Sequence, residues 1–441
     1  MNGRSLSQRP LRAIPAVAVL CILTPACNSA GERPLDARER AAVISAIGEV
    51  LTAVYIDEAA AKHGAAALQA LLAAGDLDDL REPQAFASRL TWELQRTMKD
   101  LHLEVRVRPS APEGAAQAPP SDWRRPLQRR GNDFRRVDWL SGGVVYLDLR
   151  SFPPVEIGRP TAEAAMSLLS GAEAVILDLR RNSGGTGEMV ELLAGYFLPR
   201  TLLGTTYKRS RNQTRESWTR SDVPATRLRE VPLYLLTSAA SFSAAEGFAY
   251  ELQARRRAVV VGEVTRGGAN SGGYEPAGER FEVFVPDVLW RSAATGRNWE
   301  GSGVRPDVQV GAEEALTVAH RHALVRLREA ATDPVRRKEL DWAVATLDAR
   351  TRKTPAGPSS SATLAGRYGE WEVTVGADGP RLRRNRGLWS RLLPLSDMAY
   401  TIEGTDGIQL RFERDENGTA RALLLTHADG EVQRFERSNL R

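Results

Sequence analysis

Ser243 lies in the stretch 231–268, where the sequence predicts an apolar strand, a small-residue turn, a helix at 244–254 and a second strand. Ser243 is therefore expected at a helix N-terminus. Unpaired backbone N–H groups and the helix dipole stabilise a developing negative charge there, which suits a nucleophile. The same residues also form a capping-box pattern with Glu246, in which the serine would only cap the helix.

Two further residues with acid–base chemistry lie beside structural breaks. His102 opens the alternating segment 102–108 on its polar side, and Glu300 lies in the glycine-rich loop 298–307. Either residue alone is compatible with an ordinary solvated position. Together with Ser243, however, they supply the hydroxyl, imidazole and carboxylate of a nucleophile, its base and the acid that orients the base.

A glycine turn follows the predicted strand in DLRRNSGG (178–185). Such a turn exposes backbone N–H groups, and those of Gly184 and Gly185 could bind an oxyanion. The simpler interpretation is that the two glycines permit a tight strand-to-helix turn. No Gly-Lys-Ser/Thr follows, so the turn does not have the pattern of a phosphate-binding loop.

Strands and helices alternate around these residues, a pattern typical of an α/β fold. The predicted elements are a strand at 143–148, a helix at 161–170, a strand at 174–179, a helix at 187–197, a hairpin-like segment at 202–219 and a strand at 280–289.

The whole chain divides into six predicted segments. These are a signal peptide (1–26), an N-terminal helical domain (36–109), a linker (110–132), the α/β core (133–311), a helical connector (312–353) and a C-terminal β domain (362–441). The N-terminal helices are expected in three pieces separated by Gly64 and by Gly75-Asp76, and the connector as one long helical stretch. Short alternating strands between Asp-Gly and Asn-Gly turns indicate the separate all-β domain.

An export signal is predicted at the N-terminus. Three arginines precede the apolar run 13–23, which is too short to span a bilayer. The following LTPAC resembles a lipobox with Cys27 as the lipidated residue, although Pro25 is unusual in that motif, and ordinary cleavage nearby is the alternative. The other cysteine, Cys21, falls within the predicted signal, so no disulfide is expected. We predict an exported protein, either periplasmic or a membrane-anchored lipoprotein of a bacterial cell envelope.

The composition is that of an ordinary soluble polypeptide, with 441 residues, 42% hydrophobic and 26% charged. The formal net charge is +5 and falls to about +2 without residues 1–26. That charge gives no indication of nucleic-acid binding. We predict no cofactor and no metal, and the sequence leaves the oligomeric state open.

Four motifs together resemble the tail-specific, or C-terminal processing, protease superfamily. They are DLRRNSGG (178–185), TSAASFSAAE (237–246), GEVTRGGANSGG (262–273) and WEGSGVRPDV (299–308). They follow that family's order and approximate spacing over residues 36–310, and the likeness is greatest to the branch that holds tricorn protease and interphotoreceptor retinoid-binding protein. The resemblance implies a crotonase-like α/β core with Ser243 as the nucleophile.

The same resemblance implies which residue acts as the base. In the processing-protease branch a lysine stands at the position matching Gly268, whereas this chain has no lysine between Ser243 and Lys338. The tricorn-like branch instead uses a histidine with a glutamate, which match His102 and Glu300. Its oxyanion hole would be formed here by the backbone N–H groups of Ala244 and of Gly184 or Gly185. Leu101 departs from the pattern, since tricorn protease has a serine beside the histidine.

The expected function is that of an exported serine endopeptidase that cleaves peptide or protein substrates through an acyl-enzyme. No PDZ-like segment separates the helical region from the core, which removes the peptide-tail reader of the processing proteases. The alternative is a catalytically inactive protein that binds an apolar ligand or acts as a scaffold, because retinoid-binding relatives share the fold. The presence of Ser243, His102 and Glu300 favours the enzyme.

Overall fold

The computed structural model describes residues 33–108, 124–224, 227–351, 362–405, 407–427 and 429–438. The helices in these residues are α1 (Ala37–Val54), α2 (Glu58–Ala73), α3 (Pro83–Met98), α4 (Arg124–Arg129), α5 (Val155–Leu169), α6 (Gly187–Phe197), α7 (Ala244–Ala254), α8 (Ala315–Ala330) and α9 (Pro334–Thr351). Short 3-10 turns lie at Gly131–Asp133, Ser141–Gly143, Arg209–Arg211, Arg227–Arg229 and Ala362–Leu364.

Nineteen strands form within the same residues. They are β1 (Glu104–Val107), β2 (Phe134–Leu140), β3 (Val144–Leu149), β4 (Ala174–Asp178), β5 (Leu202–Lys208), β6 (Gln213–Trp218), β7 (Leu233–Thr237), β8 (Val259–Gly262), β9 (Ser271–Pro276), β10 (Phe281–Ser292), β11 (Val308–Gln309), β12 (Gly366–Tyr368), β13 (Trp371–Gly376), β14 (Gly379–Arg384), β15 (Ser390–Pro394), β16 (Ala399–Ile402), β17 (Ile408–Arg414), β18 (Ala420–His427) and β19 (Val432–Ser438). The predicted fold class is confirmed: an α/β core with an N-terminal helical region and a C-terminal all-β domain.

The central sheet has six strands in the order β11-β8-β7-β4-β3-β2. Its strands are parallel except for β2, which pairs antiparallel with β3. Every residue of β3, β4 and β7 is buried, as expected for parallel strands with both faces covered. Helices α5, α6 and α7 cover one face, and α8 and α9 cover the other. The loops after β4 and β7 therefore meet at one edge of the sheet.

A second sheet brings the N-terminal region to the core. Its order is β1-β10-β5-β6, with β9 paired to β10. Helices α1 to α3 bury their apolar faces against β10, and Phe86 packs edge-to-face on Phe281. Because β1 also pairs with β10, the helical region shares a hydrophobic core with this sheet and delivers the His102 turn to the α/β core.

The C-terminal strands β12 to β19 close into a barrel. Its interior is filled by apolar side chains, among which Tyr368 and Tyr400 pack edge-to-face on Phe412. Three of the predicted turn glycines, Gly379, Gly418 and Gly430, have positive φ. Asp406 of another predicted turn lies outside the described residues.

Two helix predictions were wrong in detail. Gly64 does not separate two helices but lies within α2, where a Cβ would approach Met98 Sδ to 2.4 Å. Helix packing, and not a chain break, accounts for this glycine. The helical stretch predicted as continuous is divided between α8 and α9, because Pro334 begins α9 and the residue before a proline is disfavoured in a helix.

Two predicted connections also carry structure. Helix α4 and the turn Gly131–Asp133 form within the segment predicted as a linker. Helix α8 buries Ala319, Ala323 and Leu324 in the hydrophobic core on the second face of the central sheet. This helix therefore does more than connect the core to the barrel.

The predicted signal peptide and Cys27 lie outside the described residues. Among the helices that the structure describes, none combines the length and apolar character needed to cross a membrane.

Candidate active site

Ser243 occupies a strained turn between β7 and α7. Its φ is 56° and its ψ is −120°, a backbone conformation that non-glycine residues rarely adopt. The residue stands at the N-cap of α7, and its backbone N–H donates to Glu246 Oε2 at 2.8 Å. The helix N-terminus is therefore present where the sequence predicts it, and the strained backbone of Ser243 is a finding of the structure.

Glu246 fixes this turn to a neighbouring loop. Its buried carboxylate also accepts from the backbone N–H groups of Gly267 (2.7 Å) and Gly268 (2.9 Å) and from the Thr265 hydroxyl. Burial raises the pKa of Glu246, and these hydrogen bonds oppose the shift. The sequence pattern indicates Glu246 only as half of a capping box. Its hydrogen bonds to the GEVTRGG loop join residues that are distant in sequence, so local pattern does not predict them.

The two glycines after β4 differ in their hydrogen bonds. The Gly184 N–H donates to Asn182 Oδ1 at 2.9 Å, so of the two alternatives Gly185 has the N–H group that is left for an oxyanion. Within the described residues, the N–H groups of Gly185 and Ala244 donate to no acceptor. Gly185 has φ of 141°, and a Cβ there would lie 2.0 Å from Phe152 O, so only glycine fits.

Gly185, Ser243 and Ala244 line a cavity of about 430 Å³. Its apolar wall is formed by Val190, Leu203, Val288, Trp290 and Trp299. Two buried carboxylates in the wall, those of Glu191 and Glu251, are engaged by arginines. A side chain next to a carbonyl bound at Ser243 would therefore enter a largely apolar space, which the charged side chains of Glu188, Lys208 and Arg211 also line.

His102 lies in the turn just before β1, packed between aromatic rings. Its ring centroid is 4.4 Å from that of Phe242 and 6.2 Å from that of Phe284. Both ring nitrogens are buried and have no hydrogen-bond partner among the described residues, so no hydrogen bond joins His102 to Ser243. Burial, and secondly the charge of Arg266, lower the pKa of His102 to about 4, which keeps the imidazole neutral near pH 7.

Glu300 is held by one of its two carboxylate oxygens. Oε2 accepts from the backbone N–H groups of Ala269 (2.6 Å) and Asn270 (2.8 Å), whereas Oε1 is buried without a partner among the described residues. Burial, and secondly the charge of Asp100, raise the pKa of Glu300 to about 7. Glu300 forms no hydrogen bond with His102.

The histidine and the serine turn are nevertheless neighbours. Phe242, which stacks on His102, directly precedes Ser243. A Cβ on Gly268 would lie 2.2 Å from Phe242 Cε2 and 2.7 Å from His102 Cε1, so a side chain at position 268 would overlap the imidazole. Among the described residues no group of three or more His, Cys, Asp or Glu side chains is arranged to hold a metal ion.

Part of the chain is similar in sequence to known peptidases. Residues 143–310 match the model of peptidase family S41. A carboxyl-terminal-processing protease of Synechocystis sp. is 38% identical over 97 residues, which are 22% of this chain and 22% of that protein. The match thus spans about a fifth of this curated relative. The resemblance to the tail-specific protease superfamily is confirmed, and the enzyme class that it defines is the serine-type peptidase.

Solved structures of low sequence identity also overlap with the chain. The photosystem II D1 C-terminal processing protease gives a TM-score of 0.40 at 14% identity, covering 62% of this chain and 93% of its own. A lipoprotein from Streptococcus agalactiae gives 0.43 at 13% identity, covering 65% of this chain and 96% of its own. Tricorn protease gives 0.40 at 13% identity, covering 66% of this chain and 37% of its own.

Proposed function

We propose that the chain is a serine endopeptidase in which Ser243 attacks a peptide carbonyl, His102 accepts the serine proton and Glu300 orients the imidazole. The observation that carries the proposal is the strained Ser243 at the N-terminus of α7, between the free N–H groups of Gly185 and Ala244 and open to the cavity. Those two groups suit the oxyanion that forms when the carbonyl is attacked.

The chemistry balances with these groups alone. Ser243 Oγ bonds to the carbonyl carbon while its proton passes to His102, which then protonates the leaving amine. Water next attacks the acyl carbon and gives one proton to His102. The bond from Ser243 Oγ to that carbon then breaks, Oγ takes the proton from His102, and the acid product leaves. Glu300 Oε1 can accept a hydrogen bond and a ring nitrogen of His102 can donate one. Neither atom has a partner among the described residues. Catalytic contacts that are long in an unliganded site tighten when substrate binds.

A fluorophosphonate probe tests the nucleophile. The wild-type protein should be labelled and should cleave a peptide library, whereas Ser243→Ala should do neither and His102→Ala should lose about 10²-fold or more of its kcat/KM. Lys338→Ala, which removes an amine on the far helix α9, is the matched control for a lysine base and should retain activity. Folded wild-type protein that is neither labelled nor active would contradict the proposal.

One observation favours a second candidate, a non-catalytic protein that binds an apolar ligand. His102 has no hydrogen bond to Ser243, and two tryptophans line the cavity beside the serine. Titration with a fatty acid, followed by tryptophan fluorescence, tests this function. Saturable one-to-one binding by a protein that cleaves no peptide would support it, and absence of binding would remove it.

We also propose that the protein is exported and anchored through Cys27, on the basis of the N-terminal pattern of basic, apolar and LTPAC residues. Acyl chains anchor a protein without acting at a distant site. Cys27→Ser should therefore leave the membrane fraction while its peptidase activity stays unchanged. Unaltered fractionation of this variant would exclude the anchor.

A further inference from the structure

The geometry points to Asp100 and Tyr55 as positioning residues of the active site: they hold the His102 turn against the end of α1 and place a buried carboxylate beside the proposed base. This inference rests on the proposed function, because it assigns the pair a role in that reaction. Neither side chain reaches the cavity beside Ser243. Their effect would therefore be exerted through His102 and Glu300, and not by contact with substrate.

Asp100 uses both of its carboxylate oxygens. Oδ1 accepts from the backbone N–H of His102 at 3.0 Å, and Oδ2 accepts from the Tyr55 hydroxyl at 3.1 Å. Oδ1 also lies 3.8 Å from His102 Nδ1. Asp100 is 2% exposed, so neither bond competes with bulk water. The carboxylate therefore fixes the backbone of the histidine while the imidazole itself has no hydrogen bond.

Tyr55 is itself anchored to the core. It ends α1, with its N–H donating to Leu51 O at 3.0 Å, and its carbonyl accepts from the Arg209 guanidinium. The next residue, Ile56, donates its N–H to Pro286 O at 2.9 Å, which joins the chain to β10. The Tyr55 hydroxyl therefore connects a rigid part of the N-terminal region to the turn that carries the proposed base.

Asp100 and Tyr55 also bear on the charge of Glu300, in addition to the position of the His102 turn. Burial raises the pKa of Glu300, and the negative charge of Asp100 adds to that shift. The Tyr55 hydroxyl lowers the pKa of Asp100, against the larger effect of burial. The other groups facing this pocket are Glu246, which also raises the pKa of Glu300, and Arg266, whose charge acts on His102.

Three substitutions separate the positioning of the His102 turn from the effect of the Asp100 charge on Glu300. Asp100→Asn keeps an acceptor oxygen for the His102 N–H but removes the charge, and Asp100→Ala removes both. Tyr55→Phe removes only the hydroxyl that favours the ionised form of Asp100. Tyr207→Phe is the matched control, because it removes a hydroxyl that bonds to Asn212 on the exposed hairpin of β5 and β6.

The readouts are kcat/KM as a function of pH and the titration of the His102 ring signal by NMR, which is practical because the chain has five histidines. Glu300→Gln identifies the inflection that belongs to Glu300. In Asp100→Asn this inflection should move to lower pH by about one unit, and in Tyr55→Phe it should move in the same direction by less. Asp100→Ala should lower kcat about 10- to 100-fold, and Asp100→Asn should recover most of that loss.

An inflection that stays in place in Asp100→Asn and Tyr55→Phe would overturn the inference, and Tyr207→Phe should leave it in place in either case. The NMR titration needs no turnover. If the wild-type protein showed no hydrolysis dependent on Ser243, the proposed function would fail, while the titration would still decide whether the pair controls Glu300.

Discussion

The serine turn and the histidine turn are adjacent but are held in opposite ways. Around Ser243, hydrogen bonds join the serine turn to the GEVTRGG loop, since Glu246 alone accepts from three N–H groups and a hydroxyl. Around the His102 ring, only aromatic stacking and burial fix the side chain, and both nitrogens are without partners among the described residues. Ser243, the proposed nucleophile, is therefore preorganised, whereas His102, the proposed base, has its backbone fixed and its ring free to form new bonds.

This difference has an energetic cause. A residue at positive φ persists only when its surroundings over-determine it, and the bonds to Glu246 do so for Ser243. Burial without partners costs a charged imidazole more free energy than a neutral one, which agrees with the lowered pKa of His102. Proton transfer would then require Glu300 to approach the ring and offset that cost.

The largest expected effect is on the hydrogen-bonded turn that carries Ser243. Glu246→Ala leaves three buried N–H groups and the Thr265 hydroxyl without their acceptor, and should lower the free energy of unfolding of the core by about 3 to 5 kcal/mol. Urea unfolding followed by tryptophan fluorescence measures this. Glu156→Ala, which removes an exposed carboxylate in the first turn of α5, should cost less than about 0.5 kcal/mol. Equal losses for the two variants would mean that Glu246 acts only as an ordinary helix-end charge.

An intermediate effect is expected at Gly268, where the Ser243 turn and the His102 turn are in contact. Gly268→Ala inserts a Cβ into the space shared by Phe242 and His102, and should cost about 1 to 3 kcal/mol through overpacking. Displacement of the ring should also lower kcat about 10- to 100-fold. Gly273→Ala, on β9, is the control because a Cβ there meets no atom within 4 Å. Full activity of Gly268→Ala would show that the position of the His102 ring is not critical.

The serine half was largely predictable from sequence because its signals are local. Helices α6 and α7 have the predicted bounds, and the strand, turn and helix around Ser243 follow one another in the chain. The choice between Gly184 and Gly185 was not predictable. It depends on whether the Asn182 side chain accepts a hydrogen bond from the Gly184 N–H, and the Gly184-Gly185 sequence does not show this.

The histidine half could be assigned only by family resemblance, because its contacts are distant in sequence. Tyr55 and Asp100 are 45 residues apart, and β9 was not predicted as a strand because SGGYEP has little apolar content and forms a strand through pairing with β10. Local periodicity carries no information on such contacts. The unbonded state of the imidazole likewise follows from how α1, β10 and the GEVTRGG loop pack together.

The smallest expected effect concerns the ionisation of Glu300, which a pH-dependent comparison isolates. Its pKa is about 7 in the folded chain against 4.5 for an ordinary glutamate, so the folded state holds this proton more tightly than the unfolded state. Stability should then fall as the pH rises from the lower value through the higher one, because folding opposes ionisation there.

Glu300→Gln keeps an oxygen for the N–H groups of Ala269 and Asn270 and does not titrate. Its free energy of unfolding relative to wild type should therefore rise by about 2 kcal/mol between about pH 5 and about pH 8. Glu275→Gln, an exposed position on β9, should show a change under about 0.5 kcal/mol in the same urea titrations. A pH-independent difference for Glu300→Gln would mean that the carboxylate already has a partner, and the contrast between a bonded serine turn and an unbonded histidine pocket would no longer hold.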